Sequence, residues 1–240
     1  MTLAVSFAPA APNTIVAGIV ATEAAGVDLA IVDYGTPRTP IDPLAVAAAA
    51  AMATTRIRLA VAVSPAIVEP FTFARGLAAL DHLSGGRSAW RVITAAGPFR
   101  ASVDTAQLKE FISVVGALCE SWAPDWCADD KAEAQFWRAG SATPIAQDGR
   151  HYQVTGPLNT PRPPQGIPPR LAWSADPVTG AASVIVRPGE TAPPGAAALI
   201  DVTDVGDAIT HDAVGFHIRI DPADKAGLAA FVDRFAKVSA

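Results

Sequence analysis

The first half of the chain repeats one pattern, in which a short apolar segment is followed by a helical segment. The apolar segments begin at Leu3, Leu29, Ile57 and Ser88. Residues 29–34 (LAIVDY) are almost continuously apolar, which suits a strand that is buried on both faces. Alternation of such strands with helices is typical of parallel βα units, so the pattern predicts a parallel sheet covered by helices.

The second half carries four more strand-like segments, which begin at Arg170, Ser183, Ala197 and Gly215. A parallel crossover needs about a dozen residues or more. The connections at residues 176–182 and 187–196 are shorter than that. Eight strands with this alternation predict an α/β fold, a TIM-type (β/α)8 barrel that is regular in its first half and eroded, with helices missing, in its second half. The alternative is an open, partly antiparallel sheet.

One domain is expected over residues 1–240, with an irregular insertion at about residues 122–169. Tryptophans, charges and small residues mix in its first part without a regular period, and residues 156–169 contain six prolines. Because proline cannot continue a helix, this stretch is expected to be an extended loop.

Composition excludes several classes of function. A formal charge of −5, from 18 basic and 23 acidic side chains, provides no basic footprint for nucleic acid or an anionic membrane. Neither a long apolar span nor a basic leader is recognisable, so we expect a cytoplasmic protein without a membrane segment. The two cysteines, Cys119 and Cys127, have no histidine at ligand spacing, so we expect no metal site.

Several long motifs occur in order along the chain. Residues 69–94 read EPFTFARGLAALDHLSGGRSAWRVIT, and residues 148–166 read DGRHYQVTGPLNTPRPPQG. Residues 118–126 (LCESWAPDW) and, more weakly, residues 215–235 (GFHIRIDPADKAGLAAFVDRF) extend the set. Together they resemble the bacterial luciferase-like flavin monooxygenases, in particular the branch with the nitrilotriacetate and dibenzothiophene-sulfone monooxygenases.

This resemblance implies a TIM-type barrel that uses reduced FMN, supplied by a partner flavin reductase, and O2 to oxidise a small organic substrate. It also implies a homodimer. Other branches of the superfamily use a deazaflavin, so that cofactor stays open. No catalytic residue is assigned by the motifs.

The resemblance also implies five cofactor-binding residues. Asp33 follows the second strand, near the isoalloxazine; Ser64 follows the third strand, close to the ring; Trp90 lies in the fourth strand; and Ser174 ends the fifth, at the phosphate loop. Arg91 stands where the family has asparagine. Three of them have a structural alternative: a strand-end cap for Asp33, ordinary turn chemistry for Ser64, and core packing for Trp90.

Arg91 is the sharpest departure from the family. An arginine within an apolar strand needs a partner, either a bound anion or an internal carboxylate, with Asp33 and Glu69 as candidates. Internal pairing would fill the flavin position. The phosphate loop also differs, since WSADPVTG (residues 173–180) lacks the family's Gly-Ser-Ser. The alternative function is therefore a truncated, non-catalytic relative, which binds a displaced flavin or another apolar ligand, or which serves as a partner subunit.

Overall fold

The computed structural model describes residues 2–36, 38, 40–93, 103–174, 176, 180, 183–186, 190, 196–202 and 215–238. Four helices follow the early strands, and a fifth ends the described chain; they are α1 (Pro12–Ala24), α2 (Pro43–Ala53), α3 (Pro70–Ser84), α4 (Thr105–Cys119) and α5 (Lys225–Val238). Within the described residues, no helix combines the length and the apolar character that crossing a membrane requires.

Eight parallel strands close into one barrel. In chain order they are β1 (Thr2–Phe7), β2 (Leu29–Val32), β3 (Arg58–Val63), β4 (Ser88–Val92), β9 (Arg170–Trp173), β10 (Ser183–Val186), β11 (Ala197–Val202) and β12 (Gly215–Ile220). Four short strands lie between β4 and β9: β5 (Cys127–Asp130), β6 (Gln135–Trp137), β7 (Gln147–Asp148) and β8 (Gln153–Val154). Around the barrel the order is β1-β12-β11-β10-β9-β4-β3-β2.

This arrangement confirms the predicted barrel. The open, partly antiparallel alternative is wrong, because β1 pairs with β12 and every neighbouring pair in the barrel is parallel. The strands β1 to β4 alternate with α1 to α3 and lead into α4, whereas the described residues between β9 and β12 contain no helix. The first half is therefore regular and the second half eroded.

Local sequence explains where the helices begin and end. Proline occupies the first turn of α1, α2 and α3, where its missing N–H costs no hydrogen bond. Asp42 caps α2 by accepting from the Leu44 N–H, and Asp104 caps α4 by accepting from the Gln107 N–H at 2.7 Å. Helix α3 ends at Gly85, which has a φ of 66°.

The core contains two apolar clusters, one on the outer side of the barrel wall and one in the lumen. The larger cluster joins outward strand residues to α1–α4 and includes Trp90, Phe73 and Phe111. The smaller cluster contains alternate residues of seven strands and no helix residue: Ala4, Leu29, Ile31, Ala60, Ala89, Leu171, Ile185 and Leu199. Because neighbouring side chains in a strand point to opposite faces, this smaller cluster fills the lumen.

Residues 122–169 form mostly loop with two antiparallel hairpins, β5–β6 and β7–β8. Glu110 of α4 holds the second hairpin, since its carboxylate accepts from the backbone N–H of His151 at 3.0 Å and of Tyr152 at 2.9 Å. Trp122 donates its Nε1–H to the Leu158 carbonyl at 2.6 Å. The insertion is thus fastened to α4 and to its own loop by specific hydrogen bonds.

Candidate functional site

Polar side chains replace the apolar filling of the lumen toward the carboxyl ends of the strands. Contacts between strands that are not neighbours must cross the lumen. Arg91 of β4 reaches Asp33, which follows β2, and Trp173 of β9 packs against His217 of β12. The carboxyl end is where TIM barrels bind ligands, so we place the candidate site there.

Arg91 lies at the centre of one half of this site. Its Nη1 is 3.4 Å from Asp33 Oδ1, and its Nε is 3.7 Å from Asp176 Oδ2. Its Cζ lies 5.2 Å from the centroid of the Trp173 ring. Of the two alternatives for Arg91, a bound anion or an internal carboxylate, the structure shows the internal pairing with Asp33. The other candidate carboxylate, Glu69, precedes α3 as its N-cap residue. Arg91 Nε is buried and has no hydrogen-bond acceptor among the residues that the structure describes.

His217 lies at the centre of the other half. Its Nδ1 is 2.7 Å from Asp201 Oδ1, and its Nε2 is 3.0 Å from Ser6 Oγ. The Trp173 ring meets the imidazole edge to face, with centroids 5.0 Å apart. Burial lowers the pKa of the His217 imidazole below its ordinary value of 6.5, and the Asp201 carboxylate only partly opposes this shift.

Sequence reasoning did not select Ser6, Asp201 or His217. The sequence did carry a signal, because each of the three is a polar residue within an apolar strand. Ser6 lies near the end of β1, Asp201 lies in β11 and His217 lies in β12. Since the strands are buried on both faces, apolar residues surround each polar one on either side. The sequence therefore does not show which of them share the lumen.

The polar atoms of two predicted site residues, Ser64 and Trp90, form hydrogen bonds with groups other than Arg91 and its partners. Ser64 is buried, and its Oγ accepts from the Ala66 N–H at 3.3 Å while its carbonyl accepts from Ile67, as a turn residue does. Trp90 packs outward against Phe73 with ring centroids 5.5 Å apart, and its Nε1–H donates to the Pro168 carbonyl at 2.9 Å. Both positions match the structural alternatives.

Ser174 follows Trp173 directly, at the carboxyl end of β9. Its hydroxyl is 2.6 Å from Glu190 Oε2, and its backbone N–H donates to the Ile185 carbonyl at 2.8 Å. A phosphate at the Ser174 hydroxyl would therefore meet a carboxylate of like charge. This position does not fit an anion.

The site fits one part of a flavin better than the other. The buried Arg91 Nε–H, which has no acceptor in the described part of the chain, is a donor for an acceptor atom of an isoalloxazine, and the Trp173 ring lies beside it. The Ser174–Glu190 contact disfavours the flavin phosphate at that end of β9. Arg91 and Trp173 thus offer contacts for the ring system, whereas the Ser174 hydroxyl, engaged by Glu190, offers none for the phosphate.

The motif LDHLSGGR has a structural role. Asp81 is fully buried and accepts from Ser88 Oγ at 2.7 Å, Gln165 Nε2 at 2.6 Å and the Gln165 N–H at 2.9 Å. Arg87 donates to the carbonyls of Ala51 and Thr54 at the end of α2, at 3.1 and 3.0 Å. These contacts tie α2, α3, β4 and the proline-rich loop together, outside the lumen.

A cavity of about 700 Å³ opens at the opposite, amino end of the barrel. Its lining includes Asp28, Arg58 and Gln165, and the Arg58 guanidinium donates to Gln165 Oε1 at 3.1 Å. Although this cavity is large, it lies at the end of the barrel where TIM-barrel residues serve stability. We therefore keep the candidate site at the carboxyl end.

A profile of the luciferase-like monooxygenase family matches residues 4–183. A pristinamycin IIA synthase subunit from Streptomyces pristinaespiralis is 35% identical over 177 residues, which cover 68% of this chain and 61% of that protein. A component of nitrilotriacetate monooxygenase from Aminobacter aminovorans is 35% identical over 143 residues, which cover 55% of this chain and 32% of that protein. The chain thus spans about a third to three fifths of these relatives' length.

Solved structures share the fold. DmoA from Hyphomicrobium sulfonivorans superposes with a TM-score of 0.68 at 17% identity, over 85% of this chain and 59% of that chain. Monooxygenase RslO1 from Streptomyces bottropensis superposes with a TM-score of 0.68 at 14% identity, over 99% of this chain and 98% of that chain. Because the family profile covers most of the sequence and these barrels superpose on it, the chain belongs to the luciferase-like monooxygenase family.

Proposed function

We propose that the chain is a flavin-dependent monooxygenase that binds reduced flavin at the carboxyl end of the barrel and oxidises a small organic substrate with O2. The observation that carries this proposal is the buried Nε–H of Arg91 beside the Trp173 ring, for which the described residues provide no hydrogen-bond acceptor. Family membership supplies the reaction class. When bound, the reduced flavin supplies the electrons for O2 activation.

In this proposal Arg91 binds the electron-rich edge of the isoalloxazine. A fixed positive charge in a partly dry lumen stabilises negative charge on a ligand more strongly than water would. Asp33 and Asp176 hold the guanidinium from two sides, and Trp173 limits how far it can turn. The surrounding barrel wall restricts the access of water to the ring.

FMN is the proposed cofactor, delivered in reduced form by a separate flavin reductase. Two relatives carry the words "component" and "subunit" in their names, which supports a multi-part system. A deazaflavin is the second candidate, because the fold also superposes on a coenzyme F420-dependent reductase from Methanopyrus kandleri with a TM-score of 0.58. A cytoplasmic homodimer belongs to the same proposal.

A second candidate function is a non-catalytic relative that binds a displaced flavin, binds another apolar ligand or serves as a partner subunit. Two observations favour it. Arg91 already faces two carboxylates, Asp33 and Asp176. The Glu190 carboxylate accepts from the hydroxyl of Ser174, at the position where the resemblance places the phosphate loop.

A flavin titration of the full chain tests both proposals. We expect saturable binding of reduced FMN in the micromolar range, about −8 kcal/mol, measured by anaerobic fluorescence and visible spectra. Arg91→Asn should weaken binding by about tenfold, or about 1.4 kcal/mol. The matched control is Arg75→Asn, which removes an exposed guanidinium from α3. It should leave the affinity unchanged.

The other outcomes are equally informative. Tighter binding by Arg91→Asn would identify Arg91 as the group that displaces the flavin and would support the non-catalytic candidate. Absence of binding by either redox form of FMN and by coenzyme F420 would contradict the monooxygenase proposal. Riboflavin that binds more tightly than FMN would show that Glu190 repels the phosphate.

A further inference from the structure

Three polar residues from three adjacent strands meet in the lumen. Asp201 of β11 pairs in register with His217 of β12, and β12 pairs with β1, which carries Ser6. Ser6 lies two residues beyond Ala4, the register partner of His217, and therefore closer to the carboxyl end. Since register partners in a parallel sheet share a face, the three side chains converge on one side of the wall.

Their hydrogen bonds define the role of each group. An ionised Asp201 carboxylate can only accept, so the proton of the neutral imidazole lies on Nδ1. Nε2 is then an acceptor, and the Ser6 hydroxyl donates to it across 3.0 Å. Hydroxyl, base and orienting carboxylate are thus placed in sequence, which is the arrangement that activates a hydroxyl.

Ser6 and His217 are buried, whereas the Asp201 side chain is partly exposed to solvent. His217 is 1% exposed and Ser6 is 5% exposed, whereas the Asp201 side chain is 38% exposed. The charged groups that act on the imidazole are Asp201 and Asp33, which favour its protonation, and Arg91, which opposes it. The set therefore connects the lumen with solvent through groups that can each carry a proton.

We propose that Ser6, His217 and Asp201 form a proton-transfer site for a ligand O–H or N–H held at the carboxyl end of the lumen. The ligand's O–H or N–H bond breaks, its proton passes to Ser6 Oγ, and the Ser6 proton moves to His217 Nε2; no electrons are transferred. The resulting imidazolium pairs with Asp201, whose exposed carboxylate passes the Nδ1 proton to solvent. The reverse transfer, in which Nε2 returns a proton through Ser6 to the ligand and Nδ1 takes one up through Asp201, restores the Nδ1–H tautomer. Asp201 is the positioning residue. The identity of the ligand as a flavin or its organic substrate rests on the proposed function.

The first test needs no ligand. The four histidines of the full chain are labelled with 15N, and His217→Gln identifies the signal of interest. We expect the Nδ1–H tautomer at pH 8 and reversible protonation below pH 6.5 while the protein stays folded. Asp201→Asn should shift this protonation to lower pH, because the favourable carboxylate charge is lost. A ring that never protonates in the folded protein would be sealed structural packing and would overturn the proposal.

The second test uses turnover with reduced FMN. Ser6→Ala should lower kcat by about 100-fold and leave FMN affinity within about twofold of the unchanged protein. Ser6→Thr keeps a hydroxyl and should retain most of the rate. This variant controls for loss of activity through misfolding. When kcat/KM for reduced FMN is measured against pH, Asp201→Asn should move the acidic limb of the profile to lower pH. Ser113→Ala on the exposed face of α4 is the matched control.

The two tests separate the two proposals. If neither FMN nor coenzyme F420 binds, the proposed function fails, but the histidine titration still decides whether the proton path exists. If FMN binds and Ser6→Ala turns over at the normal rate with a normal pH profile, the proton-transfer site is wrong and the flavin proposal stands.

Discussion

Buried ionisable side chains in this barrel serve two different purposes. Asp81 and Arg87 have their polar atoms saturated by backbone and side-chain partners, and they hold elements together. Arg91 and His217 lie in the lumen. Arg91 Nε has no acceptor within the described ranges, and His217 is a base between a hydroxyl and a carboxylate. A buried polar atom without a partner costs free energy, so Arg91 is the residue whose cost a ligand would offset.

Substitution of Asp81 measures how much a buried ionisable side chain that holds elements together contributes to stability. Asp81→Ala leaves the Ser88 hydroxyl and the Gln165 amide without their acceptor, so we expect a loss of about 2–4 kcal/mol in the free energy of unfolding. Urea unfolding measures it. Asp125→Ala, which removes an exposed carboxylate from the insertion, should change stability by less than about 0.5 kcal/mol. Equal effects of the two substitutions would contradict the assigned role of Asp81.

Glu23 makes stability depend on acid pH. Burial raises the pKa of its carboxyl, but hydrogen bonds from the N–H groups of Ile57, Arg56 and Thr55 outweigh burial and lower the pKa below the ordinary value of 4.5. The unfolded chain therefore binds more protons in this window, so the contribution is complete above pH 4.5 and is lost as pH falls through the folded pKa.

Urea unfolding of Glu23→Gln beside the unchanged protein tests this dependence. The stability difference should be largest at about pH 7 and should shrink as pH falls below 4.5. Glu133→Gln, at an exposed turn of the insertion, should show no such trend. A difference that stays constant with pH would show that the Glu23 charge contributes nothing.

At the scale of elements, capping and turn residues decide where the βα units stop. Gly85 ends α3 with a φ of 66°, and its N–H donates to the His82 carbonyl at 3.2 Å while that of Gly86 reaches Asp81. A left-handed residue lets the chain reverse from α3 into β4 within three residues. The glycine turn is thus what places β4, with Arg91, directly after its helix.

Two glycine substitutions with opposite expected signs test this explanation. A Cβ at Gly85 would touch nothing within 4 Å, so Gly85→Ala isolates the backbone cost and should destabilise by about 1 kcal/mol. Gly116 lies inside α4, where a Cβ would make only ordinary contact with Ile167 at 3.7 Å. Gly116→Ala should therefore stabilise by up to about 1 kcal/mol in thermal or urea unfolding. Destabilisation by both would mean that packing, not backbone conformation, dominates at these sites.

At the scale of the whole molecule, closure of the barrel couples the chain's two halves. Strand β1 pairs with β12 over six residues, and β4 pairs directly with β9 across the insertion. The eroded half is therefore hydrogen-bonded to the regular half along both of its edges. Opening of the core should require both halves to separate.

The two cysteines allow that opening to be measured. Cys127 is exposed and Cys119 is fully buried on α4, where burial raises the pKa of its thiol to about 12. A thiol reagent should modify Cys127 quickly and Cys119 only through unfolding, so one thiol reacts in buffer and two in urea. Cys119 reactivity should follow the urea unfolding curve. Rapid modification of both thiols in buffer would show that α4 opens separately from the barrel.

The sequence by itself determined the class of fold, the order of its elements and the family. Periodic apolar segments, helix caps and glycine stops are local features, and the strand starts at Leu29, Ser88 and Arg170 coincide with those of the structure. The need of Arg91 for a counter-charge was also predictable from its place in an apolar strand, but the choice between a bound anion and the carboxylate of Asp33 was not.

Only the tertiary structure decided which side chains face the lumen and meet there. Strands buried on both faces show no polar alternation, so Trp90 and Arg91 both remained candidates until the register turned one outward and the other inward. Ser6 and His217 are 211 positions apart, and they become neighbours only because the barrel closes β1 onto β12. Closure is a property of all eight strands together, and no local pattern specifies it.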